Sequence, residues 1–563
     1  MFIEWKRGYN MDKIVNVTFR HGEVKQYLEE TTLLEISHDY DKVFNYPVLA
    51  ARVDNELTEL HEQVFKNCNV DFYDRSSLIG NSIYGRSLQF ILALAVKRVL
   101  GKESDVVIQH SIDNGFYCEL ANTKADKNTV SAIEKEMKEI VKDDLIFNKV
   151  SVTRIDALNY FKKRNQTDKI KVLKYVSNSY VSLYRLDDIY DYYYGELAYS
   201  TGVIDSFKLT YINEEGFVTS YPTITNPECT LDYNHHELLF NKFLNYTKWG
   251  RAGYISQAAD LNNRITHGDH GRIIRIAEAY SNLQLMHTAE EIWHNQDKVK
   301  IILIAGPTSS GKTTTSKKLE NFLQAFAIPT YQISVDNYFL DRSKTPKKKD
   351  GTFDFESLKA IDVNQFNKDL TKLLSGKEVI MPIYNFVEGK REFSEKPLKI
   401  VKGGVIIIEG LHALNDDLTP AIERKDKYKI FVTPLTQLNI DNHNRIHTAD
   451  TRKLRRIVRD NQYRGKGASE TLKMWKEIRD SEEKYIYPFQ NDVNMIINSA
   501  LLYELGVLKT FAEPLLFSVH EEDENYPEAI RLINLLRNFL PIPTDEIPQD
   551  SVLREFIGNS CFK

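Results

Sequence analysis

The chain is short of the residues that mark secreted or membrane-bound proteins. Among 563 residues there are four cysteines, Cys68, Cys118, Cys229 and Cys561, scattered and with no C-x-x-C pair. Such spacing argues against a disulfide framework and suits free thiols in a reducing compartment. No apolar run approaches the roughly 18 residues that a membrane helix needs. The opening MFIEWKRGYN lacks the apolar centre of a secretory signal. Cys561, third from the end, is misplaced for a C-a-a-X prenylation box. A net charge of −5 supplies no global basic field to draw in nucleic acid or an anionic membrane. What remains has the composition of a globular protein, 42% hydrophobic and 27% charged, long enough for about three or four domains. The expectation is a cytoplasmic chain with no membrane partner.

The most informative stretch present is Lys298 to Thr315, KVKIILIAGPTSSGKTTT. Val299 to Ala305 reads as a buried strand. It breaks into Gly306-Pro307-Thr308-Ser309-Ser310-Gly311-Lys312-Thr313, a complete G-x-x-x-x-G-K-[ST] phosphate loop, and resumes as a helix through Thr314. The glycines let the backbone curl into a nest of N–H groups at a helix N-terminus, which cradles polyanionic phosphates. Lys312 is expected to reach the β- and γ-phosphates, and the Thr313 hydroxyl to ligate Mg²⁺. Gly306 to Thr314 are therefore the predicted ATP-binding residues.

Two carboxylates follow at strand ends, where doubly wound sheets bind ligands. Pro329 to Asp336 reads as a strand ending in Asp336, placed to accept the proton of an attacking hydroxyl or, less specifically, to cap the next turn. Gly403 to Gly410 is a near-continuous apolar run that ends in Glu409, the Walker B position, where an acid can hold Mg²⁺ through water. Further strands at Tyr428 to Val432 and Asn494 to Ile497 predict a five-stranded parallel core. Between them Arg452, Arg455, Arg456 and Arg459 recur at helical spacing, predicting one face with four guanidinium groups that an anionic ligand would relieve. The bland alternative is a solvated basic face, and a solvated surface also suits the basic loop Lys344 to Lys349.

Taken in order, GPTSSGKT, Ser334 to Phe339, the Phe353-Asp354 pair, PIYNF at Pro382 to Phe386, Glu409-Gly410 and the arginine-rich segment through Arg464-Gly465 resemble the uridine kinase/phosphoribulokinase family. The resemblance covers about residues 298 to 515. It implies an ATP- and Mg²⁺-dependent kinase of a small alcohol, foremost the 5′-hydroxyl of uridine or cytidine. By that resemblance Asp336 is the catalytic base, with Lys312 and Arg459 also catalytic. Asp354 would hold ribose hydroxyls, Tyr384 and Phe386 would flank the base, and Arg456 would lie near the acceptor. Arg459 and Arg464 would be lid arginines on ATP, and Thr313 and Glu409 would hold the metal. Two positions depart from the pattern: Gly389 stands where uridine kinases carry a base-reading His, and Lys466 where an Arg is expected. The stretch LNIDNHNRIHT before Ala449 and Asp450 is also longer than usual. A sugar or other metabolite alcohol therefore stays open as acceptor, as does a nucleotide-gated RNA-binding or regulatory protein.

Roughly residues 12 to 225 resemble the N-terminal half of threonyl-tRNA synthetase. The phrases that carry this are GRSLQFILALAVKRVL, IDNGFYCEL and STGVIDSFKL, after a small β-grasp unit that includes Ile14 to Phe19 and a helix from Thr31 to Ile36. That family's editing site takes metal-binding side chains where this chain has Arg86, Phe90, Tyr193 and Leu197. An arginine, two aromatic rings and a leucine offer no such ligand set, so the implied editing site is retired. RNA contact, an amino-acid-like ligand, scaffolding and homo-oligomerisation stay open for this half. The predicted architecture is multidomain, α/β and α+β: a TGS-like β-grasp domain (1–75), an editing-like α+β domain (76–225), a helical connector (226–297), a P-loop domain with a doubly wound parallel sheet (298–519) and a helical tail (520–563). His235, His236, His267 and His270 in the connector read as loop and cap residues.

Overall fold

The computed structural model describes residues 13–40, 43–348, 351–385 and 388–562. Its first layer is a mixed sheet of β1 (Ile14–Phe19), β2 (Val24–Leu28), β3 (Val48–Val53), β4 (Glu56–Thr58) and β5 (Cys68–Asp74) in the order β2-β1-β5-β3-β4, with α1 (Leu33–His38) across it. Thr32 and Glu35 form a reciprocal capping box that starts α1, one or two residues later than the sequence suggests. Parallel pairing of β1 with β5 around a crossing helix is the β-grasp arrangement.

The next unit is built on α2 (Leu78–Leu100), capped by Ser77 and buried over most of its length from Ser87 to Val96. Helix α2 packs against α3 (Lys127–Lys142) and the sheet formed by β6 (Val106–Ile112), β7 (Gly115–Leu120), β11 (Lys208–Asn213) and β12 (Gly216–Ser220), ordered β11-β12-β7-β6. A smaller sheet of β8 (Asn148–Thr153), β9 (Tyr180–Leu186) and β10 (Ile189–Asp191) carries α4 (Arg154–Lys163) and α5 (Thr167–Lys174). Three helices, α6 (Glu237–Ala252), α7 (Ala258–Thr266) and α8 (His270–His294), then lead to the second half. His267 bonds the Asn263 carbonyl at 2.6 Å and His270 opens α8.

The second half is a doubly wound sheet. β13 (Ile301–Ala305), β14 (Thr330–Ser334), β17 (Val405–Glu409), β18 (Lys427–Thr433) and β19 (Met495–Asn498) are all parallel, in the order β14-β17-β13-β18-β19. Every residue of β13 is buried, as expected for a parallel strand covered on both faces. Around the sheet lie α9 (Lys312–Ala325), α10 (Val363–Leu374), the hairpin β15 (Val379–Asn385)–β16 (Lys390–Leu398), α11 (Thr448–Arg464), α12 (Ala468–Lys473), α13 (Trp475–Tyr485), α14 (Glu504–Phe517), α15 (Tyr526–Leu536) and the short α16 (Arg554–Ile557). No helix among the described residues is long and apolar enough to cross a membrane.

The two halves meet along β6, the edge strand of its sheet. The long stretch before α11 lies against it: Ile108 N donates to Asn442 O at 2.8 Å, and Asn439 Nδ2 donates to Ile108 O at 2.7 Å. An exposed sheet edge is thereby covered.

Candidate active site

Strand order fixes the site. β13 lies beside β17, and β17 beside β14, so the three carboxyl ends present the phosphate loop, Glu409 and Asp336 side by side. The loop leaves β13 at Gly306 and enters α9 at Lys312, with Gly311 at φ +84° in the left-handed region. Lys312 Nζ folds back over the loop and donates to Gly306 O at 3.0 Å and Pro307 O at 3.2 Å. Thr313 Oγ1 donates to Glu409 Oε1 at 3.3 Å. Asp336 follows β14 in a 3-10 turn, Val335–Tyr338.

Electrostatics tie these groups together. Desolvation in the cleft raises the Asp336 carboxyl above its ordinary range, opposed by Lys312. Glu409 is raised as well, by desolvation and by the nearby Glu555 and Asp336 carboxylates, while Lys312 and the Thr313 hydroxyl pull it back. Lys312 is lowered by desolvation against the pull of Glu409 and Glu555. A hydroxyl and a crowded, raised carboxylate facing each other form a hard oxygen donor set that fits Mg²⁺.

Helix α11 is not the four-arginine anion face expected from its spacing. Arg452 and Arg455 are fully buried and already paired. Arg452 makes a bidentate pair with Glu482 on α13, at 2.7 and 2.6 Å. Arg455 Nε donates to Glu504 on α14 at 2.7 Å, and its Nη2 to Ser499 O at 2.8 Å. Arg455 also touches the phosphate loop, its Nη1 donating to Ser309 O at 3.3 Å, and the other two face the same region. Arg456 Nη1 donates to Thr308 Oγ1 at 2.7 Å, and Arg459 Nη1 lies 3.8 Å from Glu555. Asp460 gathers Arg456 at 3.1 Å, Arg459 at 3.7 Å and the half-exposed Arg464 at 3.1 Å. The basic loop is partly tied down too, with Lys348 3.5 Å from Glu477.

Beside the Asp336 turn, Tyr384 is buried on β15 with its ring centroid 5.5 Å from Phe339, and its amide donates to Asn337 Oδ1 at 3.3 Å. Asp354 is held by its amide, which donates to Pro346 O at 2.7 Å. Phe386 lies outside the described residues. Lys466 sits 3.3 Å from Glu470.

Three site carboxylates were not foreseen. Glu356 is raised by desolvation and by Asp336, and feels Arg456 and Lys312, so it borders the same cleft. Glu482 Oε1, besides pairing with Arg452, accepts from the loop amide of Thr308 at 2.9 Å. Glu555 Oε2 accepts from Thr314 Oγ1 at 2.8 Å. The Phe353-Asp354 phrase is close enough to have pointed to Glu356. No local pattern distinguishes Glu482 or Glu555.

In the first half, Phe90, Tyr193 and Leu197 all belong to one hydrophobic core, with the Phe90 and Tyr193 ring centroids 5.3 Å apart. Arg86 donates to the Glu196 carbonyl and lies against the Tyr194 ring. Among the described residues no group of three or more His, Cys, Asp or Glu side chains is arranged to hold a metal.

The phosphate loop on β13, with carboxylates ending both neighbouring strands on one side, has a counterpart among known proteins. Residues 301–502 match the Phosphoribulokinase / Uridine kinase family. The matched segment runs from the first residue of β13 past β19, and so spans the whole parallel sheet of this kinase family's region. A Bacillus stearothermophilus protein described as a possible uridine kinase is similar at 15% identity, with a TM-score of 0.23 over 36% of this chain and 89% of that one. The N-terminal region matches threonine–tRNA ligases instead. The Desulforamulus reducens ligase is 27% identical over 198 residues, 35% of this chain and 31% of the ligase. The Thermotoga neapolitana ligase is 30% identical over 198 residues, 35% of this chain and 30% of the ligase. The chain therefore spans less than a third of the length of these curated relatives.

Proposed function

We propose that the second half transfers the γ-phosphate of ATP to the primary hydroxyl of a small molecule, foremost a pyrimidine nucleoside. The observation that carries this is the convergence of Lys312, the Thr313–Glu409 pair and Asp336 at adjacent strand ends. The nest from Gly306 to Thr314 binds the phosphates, and Lys312 swings from the loop carbonyls to the β- and γ-phosphates. Asp336 accepts the proton of the attacking hydroxyl, a contribution of about 10²–10⁴-fold. Arg456 and Arg459 face the transferring group from α11 and stabilise its charge, with Arg464 at the rim. Asp354 and Tyr384 border the acceptor. Thr313 and Glu409 would hold Mg²⁺, which when bound neutralises charge on the phosphates. Closure of the site keeps water from taking the hydroxyl's place.

Gly389 favours a second reading of the acceptor. The position has no side chain to read a pyrimidine, and its φ of +69° with Arg342 Nε 2.8 Å from where a Cβ would lie suits glycine. A sugar or other metabolite alcohol is the alternative acceptor. The test is ATP-dependent ADP release across a panel of nucleosides, sugars and sugar acids, with Lys312→Ala as control. Turnover with uridine or cytidine foremost supports the first reading, and turnover confined to non-nucleosides supports the second. Absence of any Lys312-dependent turnover would reject both.

A further inference from the structure

The segment that follows Pro541 does not dangle from the kinase-like half; it is strapped over the phosphate loop. Asp550 reaches Lys318 on α9 at 3.1 Å, Ser551 Oγ donates to Glu278 on α8 at 2.5 Å, and Phe556 lies under Arg455 at 5.0 Å. Arg554 Nη2 ties the strap to itself through Thr544 O at 2.9 Å and Ile547 O at 2.8 Å. Val552 presses on the loop so closely that a Cβ on Gly311 would lie 2.9 Å from its Cγ2.

These anchors bring Glu555 to the mouth of α9. Its Oε2 accepts from Thr314 Oγ1 at 2.8 Å and from Thr314 N at 3.4 Å, and its Oε1 lies 3.8 Å from Arg459 Nη1. The Thr314 amide belongs to the first turn of α9, where N–H groups have no partner within the helix and the helix dipole favours an anion. Lys312, Arg456 and Arg459 stand around the loop, met by Glu409 near Lys312, by Asp460 on Arg456 and Arg459, and by Glu555. The strap's carboxylate takes two groups, Thr314 and Arg459, assigned above to ATP.

We propose that the 549–558 strap is a built-in competitor for nucleotide: Glu555 holds the anion position at Thr314 and Arg459, and ATP binds by displacing it. The proposal rests on the phosphate-loop reading given above and adds its regulation. A site of this kind binds ATP more weakly than its loop alone would, because only the strap-open fraction is competent. A partner or modification that holds the strap away would then switch the enzyme on without touching the catalytic groups.

The test compares ATP binding by the full chain and by Glu555→Gln, measured by calorimetry without any acceptor. Glu555→Gln keeps the shape and removes the charge, and is expected to bind ATP about tenfold tighter, the scale of one charge-assisted contact. In the unaltered protein, saturating ATP is expected to speed hydrogen exchange at the amides of residues 551–558. Equal or weaker binding by the variant overturns the strap while leaving the phosphate loop standing, because the unaltered protein still binds. ATP binding by neither protein overturns both readings. Should the variant fail to fold, exchange in the unaltered protein decides, and strap amides equally protected with ATP bound overturn the proposal.

Discussion

At the scale of single residues, the cleft is built against its own stability. Asp336 and Glu409 are both held above the ordinary carboxylate range by desolvation, which means that their charged forms are disfavoured where they sit. Asp336→Asn is therefore expected to leave the melting temperature unchanged or raise it, since it removes a charge that the fold tolerates poorly. The same substitution is expected to lower kcat by about 10²–10⁴ with ATP affinity intact, as loss of a general base should. The pH profile carries the sign. A base works ionised, so kcat falls as pH drops through the Asp336 pKa, and desolvation moves that acid limb above the usual carboxylate range. Steady-state kinetics from pH 4 upward checks this, and full turnover in the Asn variant would remove Asp336 from the mechanism. The residues of this cleft that were legible in the sequence are those whose neighbours are fixed by strand order. A carboxylate ending a buried apolar run has only one place to go, so Glu409 could be read; Asp336 lies in the turn after a more polar edge strand and could be read from its place just past that strand. Glu555 could not, because it is 241 residues from the threonine it caps and no periodicity links the two.

At the scale of elements, apolar runs were the most legible feature. β13 and β17 are short, β-branched and bounded by glycine, and both fall where the sequence puts them. The apolar run SLQFILALAVKRVL predicts a helix from Ser87 to Leu100, and α2 begins nine residues earlier, at Leu78, because Gly80, Asn81 and Gly85 dilute the helical signal and tertiary burial overrides their low propensity. For α11 the spacing of the arginines was right and their meaning was not. Helical periodicity tells which side chains share a face but not what stands opposite. Here Glu482 and Glu504, from α13 and α14, stand opposite Arg452 and Arg455. These two guanidinium groups fasten α11 to its neighbours, and Arg455 fastens it to the phosphate loop through Ser309 O as well. Arg452→Ala would leave Glu482 buried without its partner and free the acid to distort the Thr308 amide that it also holds. The expected loss is about 3–5 kcal/mol of unfolding free energy, read by urea denaturation. Arg464→Ala, at the exposed rim, is expected to cost well under about 1 kcal/mol in the same experiment. Equal losses for the two would mean that the buried pair is not what holds α11.

At the scale of the whole molecule, the two halves are joined by charge buried between them. His443, in the long stretch before α11, reaches Asp105 at 2.9 Å and pairs with Asp191, both from the synthetase-like half. Lys169 on α5 pairs with the same Asp191 and lies 3.0 Å from Asp441, next but one to His443. Asp168 borders the cluster, and Lys97 lies 3.5 Å from Asp105. Counted as formal charges, the four acids Asp105, Asp168, Asp191 and Asp441 face two lysines, so the histidine's proton is needed to approach balance. Burial by itself would strip that proton, but Asp191 and Asp105 outweigh burial and raise His443 to about 10. The stabilisation that follows is complete below the ordinary histidine range near pH 6.5 and is lost as pH rises towards 10. The unfolding free energy should accordingly fall between pH 7 and 10 with a slope of up to about 1.4 kcal/mol per pH unit from this group. The loss should appear first as faster hydrogen exchange along β6 and residues 439–445, the seam itself. His443→Gln should lower stability at pH 7 and flatten the slope, because Gln can bond one carboxylate but cannot neutralise it. A wild-type slope that survives unchanged in His443→Gln would place the proton elsewhere in the cluster. The stretch LNIDNHNRIHT thus holds the seam at one end, through Asn439, Asn442 and His443, and runs directly into α11 at the other.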